Sequence, residues 1–146
     1  MEKNKVIRTR DLIWSGMKLN FLQASWNFER LQNVGFLFSI YNMLRKIYIG
    51  NEEGRLAAVK RHMAFFNTHI FFSSAALGVI TRLEADISDS DIKKKDTEIE
   101  NAKMGIMGPL AAIGDSLFWS GIRPLALLLG AGIVWITDFS LPGWVI

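Results

Sequence analysis

The chain of 146 residues contains no cysteine. Disulfides, thiolate metal sites and cysteine nucleophiles are therefore excluded, and a cytoplasmic or inner-membrane setting is consistent with that absence. Histidine occurs only as His62 and His69. Their spacing lacks a third metal ligand nearby, no Ser-His-Asp set can be assembled from it, and ordinary buried or interfacial histidines are the simplest reading. No cofactor is expected. The N-terminal stretch MEKNKVIRTRDLIWSGMKLNFL lacks an uninterrupted apolar core, because Arg8, Arg10, Asp11 and Lys18 break it. It is not expected to be a cleaved signal peptide, so a retained, cytoplasmic N-terminus is predicted. Internal repeats and low-complexity tracts are missing, as is the spacing of a zinc finger, an RNA-recognition motif or a basic zipper.

What is present is apolar bulk, unevenly charged. Half of the residues are hydrophobic and the net charge is +3. The length suits one domain, 1–146. Residues 1–61 carry 11 Lys/Arg and 5 Asp/Glu, whereas residues 62–146 carry 6 and 9. A basic half points to a nucleic-acid or membrane surface. Here the cations alternate with long apolar side chains, which favours a lipid bilayer over nucleic acid.

Residues 1–10 read as a basic arm, and Asp11 as the N-cap of a first helix. Phe21, Ala24, Phe28, Leu31 and Gly35 recur at helical period and predict one apolar face, with Gln23, Asn27 and Arg30 on another. Residues 34–49 are too short and too charged near Arg45 and Lys46 for a membrane span; 50–54 reads as a turn and 55–66 as a basic amphipathic helix. MAFFNTHIFFSSAALGVI (63–80) has no Asp, Glu, Lys or Arg. As a helix it would cover about 27 Å, near the thickness of a hydrocarbon core. Asn67, Thr68 and His69 within it make a re-entrant or bundle-buried segment as good a reading as a simple span. Residues 81–103 predict a charged, solvated amphipathic helix or helix pair.

From Met104 the chain turns strongly apolar and glycine-rich. Residues 117–137 would make about 31 Å of helix, with an interruption expected at Arg123–Pro124. Broken apolar segments suit a transporter core, because they offer backbone groups to a substrate. The expected fold class is an all-α membrane protein of amphipathic and re-entrant or broken helices, with at least one transmembrane helix near the C-terminus.

Three short segments carry the chemistry. QASWNFERLQ (23–32) reads either as a wet amphipathic helix or as part of a sugar site. Gln23, Asn27 and Glu29 would serve sugar hydroxyls and Trp26 would cover an apolar sugar face. Asn27 and Glu29 are two residues apart and share no face of a regular helix, so a sugar site here requires an irregular or end-on element. In KRHMAFFNTH (60–69), Asn67 is the telling residue, since an amide at membrane depth needs a partner. In GPLAAIGDSLFW (108–119), Asp115 or Ser116 reads as a helix N-cap, or as part of a re-entrant turn facing a polar substrate. Arg123 is expected to snorkel or, with slight preference, to pair with Asp115 or Glu29.

Taken together and in this order, these three segments, followed by Arg123-Pro124, resemble the IID membrane component of mannose/fructose/sorbose-type sugar phosphotransferase systems. The resemblance covers nearly the whole chain but only the N-terminal half of the family, so the chain is expected to be truncated. It departs from the family pattern at Ile70, where a proline usually follows the histidine, and at Ala112, where glycine is usual. The resemblance implies a non-catalytic subunit in a bacterial cytoplasmic membrane. Such a subunit binds and moves a hexose together with a IIC membrane partner, while cytoplasmic IIA and IIB proteins carry the phosphate. It also implies that neither histidine is a phosphocarrier and that Asn27, Glu29 and Asn67 contact sugar, with Gln23, Asp115 and Ser116 as further positions. A truncated, non-transporting remnant or membrane-associated interaction protein is the alternative. A soluble helical domain is a third reading, disfavoured by the run at 117–137.

Overall fold

The computed structural model describes residues 7–137, so most of the basic arm and the C-terminal residues 138–146 lie outside the described residues. Those described form helices α1 (Thr9–Lys18), α2 (Asn33–Ile47), α3 (Glu52–His62), α4 (Ser73–Asp86), α5 (Ile92–Asp115) and α6 (Arg123–Thr137). A 3₁₀ turn at Leu19–Phe21 leads into the loop between α1 and α2, a second at Ile70–Phe72 ends the loop between α3 and α4, and a π-helical stretch, Ser116–Ile122, joins α5 to α6.

Helix α2 is the centre. Its residues Phe36, Ile40, Met43 and Leu44 recur at three- and four-residue steps and are fully buried, which is the apolar stripe a core-facing helix requires. Helices α1, α3 and α4 pack around it, and α5 lies against α3 and α4. Gly35 makes this possible at the start of α2: a Cβ there would sit 2.4 Å from the Leu22 carbonyl oxygen. Asp11 is not the N-cap of α1. The helix begins at Thr9, and the Asp11 carboxylate accepts from the Arg8 backbone N–H at 2.9 Å while pairing with Lys46 of α2 at 2.7 Å.

The apolar face predicted through 21–35 does not form. Residues 22–32 are turns and isolated bridges, and Phe28 is 92% exposed. Local hydrogen bonding outweighs the periodicity here, as the next section details. The uncharged run 63–80 is also not a single helix. Residues 63–69 form a loop, and only from Ser73 does α4 begin. The charged segment 81–103 contains the end of α4, a turn and the first half of α5.

The predicted break at Arg123–Pro124 is replaced by continuity. Helix runs unbroken over 45 residues, Ile92–Ile136. Proline removes a donor from the α-helical ladder, and the turn before it is widened: the Arg123 N–H donates to the Phe118 carbonyl, five residues back. Asp115 and Ser116 are consequently mid-helix, neither N-caps nor a re-entrant turn. This helix changes character along its length. Lys95, Ile99, Lys103, Met107 and Gly114 form a buried stripe against the bundle. Beyond it, residues such as Leu125, Leu128, Ile133 and Trp135 are exposed. Among the described residues it is the one helix long and apolar enough to cross a membrane, and its most apolar stretch is wholly unburied. An all-round apolar helix without protein cover is what a lipid-facing span presents.

Four helices meet at a buried ionic cluster. The Glu84 carboxylate accepts from Arg61 Nε (2.9 Å) and Nη2 (3.2 Å), from Tyr48 Oη (2.6 Å) and from His62 Nε2 (2.9 Å). Arg61 also pairs with Asp96 of α5. Burial alone would raise the Glu84 pKa, but the His62 N–H and the Arg61 guanidinium hold it at about 2. Burial pushes His62 below its ordinary 6.5, in keeping with a neutral ring whose Nδ1 has no partner among the described residues. Both groups have folded pKa values below their unfolded ones, so both contributions are lost on acidification. Stability is expected to decline below pH 6.5 as the unfolded chain's histidine takes up a proton, and to fall fastest from pH 4.5 toward 2. The Glu84 part amounts to about 3 kcal/mol. Denaturant midpoints followed by tryptophan fluorescence across this range check it; a midpoint that rises on acidification rules it out.

Candidate functional site

The segment 23–32 folds irregularly because its own side chains close it. Asn27 and Leu31 exchange backbone hydrogen bonds at 3.0 and 2.9 Å. The Asn27 amide oxygen accepts from the Arg30 N–H at 2.8 Å, and its nitrogen donates to Asn33 Oδ1 at 2.9 Å. This closure holds Leu31 at φ 54°, the left-handed region that costs a non-glycine residue about 1–2 kcal/mol. The loop is then stitched to 63–69. Gln32 N–H donates to the Phe66 carbonyl at 2.9 Å, Asn33 Nδ2 to the Met63 carbonyl at 2.7 Å, and the Thr68 N–H to Gln32 Oε1 at 2.9 Å.

The second loop is in turn pressed against α5. A Cβ at Gly114 would lie 2.2 Å from the His69 Cβ, so only glycine lets the loop cross there. The His69 ring continues onto Phe118, stacked at 4.9 Å, and Phe71 stacks on Phe118 at 4.6 Å.

These two loops and the helix around Asp115–Arg123 enclose an open cleft of about 390 Å³. Gln23, Trp26, Asn67 and Asp115, all expected at a site, line it. The side chains of Gln23, Asn67 and Asp115 are exposed and make no hydrogen bond to other described residues, so their polar groups are uncommitted. Trp26, Phe71 and Trp119 give it apolar walls. Asn67 is exposed on the loop. Such a mixture of uncommitted polar groups and aromatic surface suits a neutral polyhydroxylated ligand.

Three expected site residues do not line this cleft. Asn27 is spent on closing its own loop. Glu29 is largely exposed and pairs with Arg30 at 3.1 Å. Ser116 is exposed on another face of the helix. Arg123 does line the cleft, but pairs with neither Asp115 nor Glu29; its guanidinium lies 4.6 Å from the Trp119 ring centroid. Gln32, Thr68 and His69 also line it and were not expected to. All three are buried, and Thr68 Oγ1 and His69 Nδ1 have no hydrogen-bond partner among the described residues. The signal for them was adjacency to Asn67 and, for Gln32, membership of the amide-rich 23–32 segment. Among the described residues no group of His, Asp and Glu side chains is placed to hold a metal ion.

Comparison with known proteins identifies the family. Residues 6–136 match the family model "PTS system mannose/fructose/sorbose family IID component". The chain is 44% identical over 117 residues to the mannose-specific EIID component of Escherichia coli K12, covering 80% of this chain and 41% of that protein. It is 35% identical over 134 residues to the fructose permease IID component of Bacillus subtilis, covering 91% and 48%. The fold is similar to a chain in the cryo-electron-microscopy structure of the mannose transporter ManYZ with microcin E492, with a TM-score of 0.80 and 40% identity over 92% of this chain and 48% of that one. The chain thus spans about half the length of the curated relatives it matches. With the motif segments, the apolar helix and a family match over nearly every described residue in agreement, the chain belongs to the mannose/fructose/sorbose family of phosphotransferase IID components, which are non-catalytic membrane subunits.

Proposed function

We propose that this chain supplies part of the membrane sugar-translocating unit of a phosphoenolpyruvate-dependent phosphotransferase system in a bacterial cytoplasmic membrane, and that a hexose binds in the cleft between the 23–32 loop, the 67–71 loop and the Asp115–Arg123 helix face. One observation carries the reading: Gln23, Asn67 and Asp115 bring uncommitted hydrogen-bonding groups to one cleft with Trp26 and Trp119 as walls. The hydroxyls of a hexose are taken by the amides and the carboxylate, and its C–H face by an indole ring. The cleft is open on one side. A IIC partner closing it would exclude water, in line with the paired ManYZ assembly of the similar transporter. Phosphate is handled by the IIA and IIB proteins, and the role of this chain is binding and passage.

Asn67 and Asn27 separate site from scaffold. Asn67→Ala, expressed with its partners, is expected to raise the KM for hexose uptake about tenfold, the scale of one or two lost hydrogen bonds, while membrane abundance stays unchanged. Asn27→Ala opens the loop instead and is expected to lower stability by about 1–2 kcal/mol, seen as reduced abundance and a lower unfolding midpoint. Radiolabelled mannose, fructose and sorbose uptake at matched protein levels reads the first, and membrane abundance with the unfolding midpoint reads the second. An unchanged KM for Asn67→Ala with all three sugars would remove the cleft from the sugar path.

A further inference from the structure

Helix α1 is turned inside out. Its buried residue is Ser15, while Ile13, Trp14, Met17 and, one turn on, Phe21 are each more than half exposed. At about 100° per residue these four share one side of the helix, away from the side of Ser15 that packs on the bundle. The apolar stripe of a globular helix faces the core, so a stripe that faces away needs another apolar surface to lie on.

Helix α2 continues this face. Asp11 pairs with Lys46, Lys18 Nζ lies 4.7 Å from the Phe38 ring centroid, and Leu22 abuts Gly35, so the two helices run antiparallel. Val34, Phe38, Tyr41 and Arg45 are exposed along α2 in that order. From the same end, α1 exposes Phe21, Met17, Trp14 and Arg10. Both helices pass from apolar bulk through an amphipathic ring to an arginine. That is the order of side chains where hydrocarbon gives way to lipid headgroups. Val34 to Arg45 is about 16 Å of helix, close to the depth of one leaflet's hydrocarbon, half of a core about 30 Å thick.

At the arginine end the surface is concave. A cleft of about 480 Å³ is lined by Asn42, Arg45, Lys46 and Arg55, with Asp11 as its one acidic residue. Arg45 is exposed and has no hydrogen-bond or ion-pair partner among the described residues. Lys46 and Arg55 are partly exposed and hold Asp11 and Glu52 through one nitrogen each, which leaves them further donors. With exposed Arg8 and Arg10 beside Asp11, five cations stand against two carboxylates.

We propose that the outer face of α1 and α2 binds an anionic phospholipid. The headgroup phosphate accepts from Arg45, with Lys46 and Arg55 beside it, and an acyl chain lies along Tyr41, Phe38 and Met17. A guanidinium meets a phosphate through paired N–H donors, and the surplus of cations selects an anionic headgroup over a zwitterionic one. A phospholipid is itself apolar at one end and anionic at the other over this depth, which matches both gradients at once. The proposal stands apart from the sugar cleft and does not depend on it.

The chain has no cysteine, so Met17→Cys gives a single site for a small fluorophore on the apolar face. The labelled full chain is placed in phosphatidylcholine nanodiscs that contain a fixed fraction of nitroxide-labelled phosphatidylglycerol or, in parallel, nitroxide-labelled phosphatidylcholine. Phosphatidylglycerol is expected to quench at least about threefold more strongly, and inorganic phosphate or glycerol phosphate is expected not to relieve it. Arg45→Gln combined with Arg55→Gln is expected to make the two lipids quench equally. Arg45→Glu, at a side chain without a partner, is expected to put phosphatidylglycerol below phosphatidylcholine, and it decides the matter if the double variant loses its helical circular dichroism. Absence of quenching by either lipid, the result if a second copy or another protein covers the face, overturns the proposal. So does equal quenching before any arginine is changed, which means bilayer contact without a headgroup site. A preference that survives in the folded arginine variants, or relief by soluble phosphate, overturns it as well.

Discussion

Glu84→Gln is expected to destabilise the chain by about 3–5 kcal/mol, the cost of leaving one partner of a buried ion pair uncompensated. The Glu84 side chain is fully buried and is the common acceptor for Arg61, His62 and Tyr48. Glutamine keeps the shape but presents an N–H₂ group to donors already converging there. One of its two terminal atoms then faces Arg61, Tyr48 or His62 donor to donor. Asp96 still pairs with Arg61, but from a half-exposed position that cannot replace a buried carboxylate. Because Tyr48 closes α2, Arg61 and His62 close α3, Glu84 lies on α4 and Asp96 on α5, the loss spreads over four elements. Denaturant unfolding of the detergent-solubilised chain measures it. A cycle with Arg61→Met should return a coupling energy above about 1.5 kcal/mol, as for residues sharing one network. A Glu84→Gln chain with wild-type stability would mean that the cluster is incidental to the fold.

The second large effect is expected at Gly114. An alanine Cβ would lie 2.2 Å from the His69 Cβ and 2.3 Å from its Cγ, far inside van der Waals contact. Neither neighbour yields easily, since His69 is held by its stack on Phe118 and α5 by its buried stripe. The 67–71 loop must lift off the helix. Overpacking of this kind costs about 1–3 kcal/mol and at times more, and it moves Asn67 within the first cleft. Gly114→Ala is therefore expected to lower both the unfolding midpoint and hexose affinity. Gly105 is the control: it is on the same helix with nothing within 4 Å of an added Cβ, so Gly105→Ala is expected to stabilise by up to about 1 kcal/mol through helix propensity. Equal stability of the two variants would contradict the close crossing.

The contrast between these glycines shows how the two levels of information divide. The residues of 104–136 alone fix that this part of the chain is helical and apolar enough for a membrane, because hydropathy depends on composition and length. The three motif segments also carried the family and most of the cleft: Gln23, Trp26, Asn67 and Asp115 were legible because uncommitted amides, a carboxylate and aromatics are rare inside apolar sequence. Irregular backbone at 23–32 was expected only if Asn27 and Glu29 both served a sugar site; the backbone is irregular for another reason, because Asn27 closes the loop, and neither residue lines the cleft.

Tertiary structure decided the rest. Phe21, Ala24, Phe28, Leu31 and Gly35 have helical spacing, yet Asn27 closes a loop with Arg30, Leu31 and Asn33, and periodicity along the chain does not register that competition. Arg123–Pro124 reads as a break, yet a π-helical turn absorbs the missing donor. Arg61 and Glu84 are 23 residues apart in sequence, and Lys103 is one lysine among several in a charged segment. Which of these charges is paired, which is buried without an acceptor, and which glycine touches a histidine depend on helices meeting in space. Sequence patterns report local backbone preference and burial tendency; the partners that satisfy a buried polar group come from other elements, and only their packing brings them together.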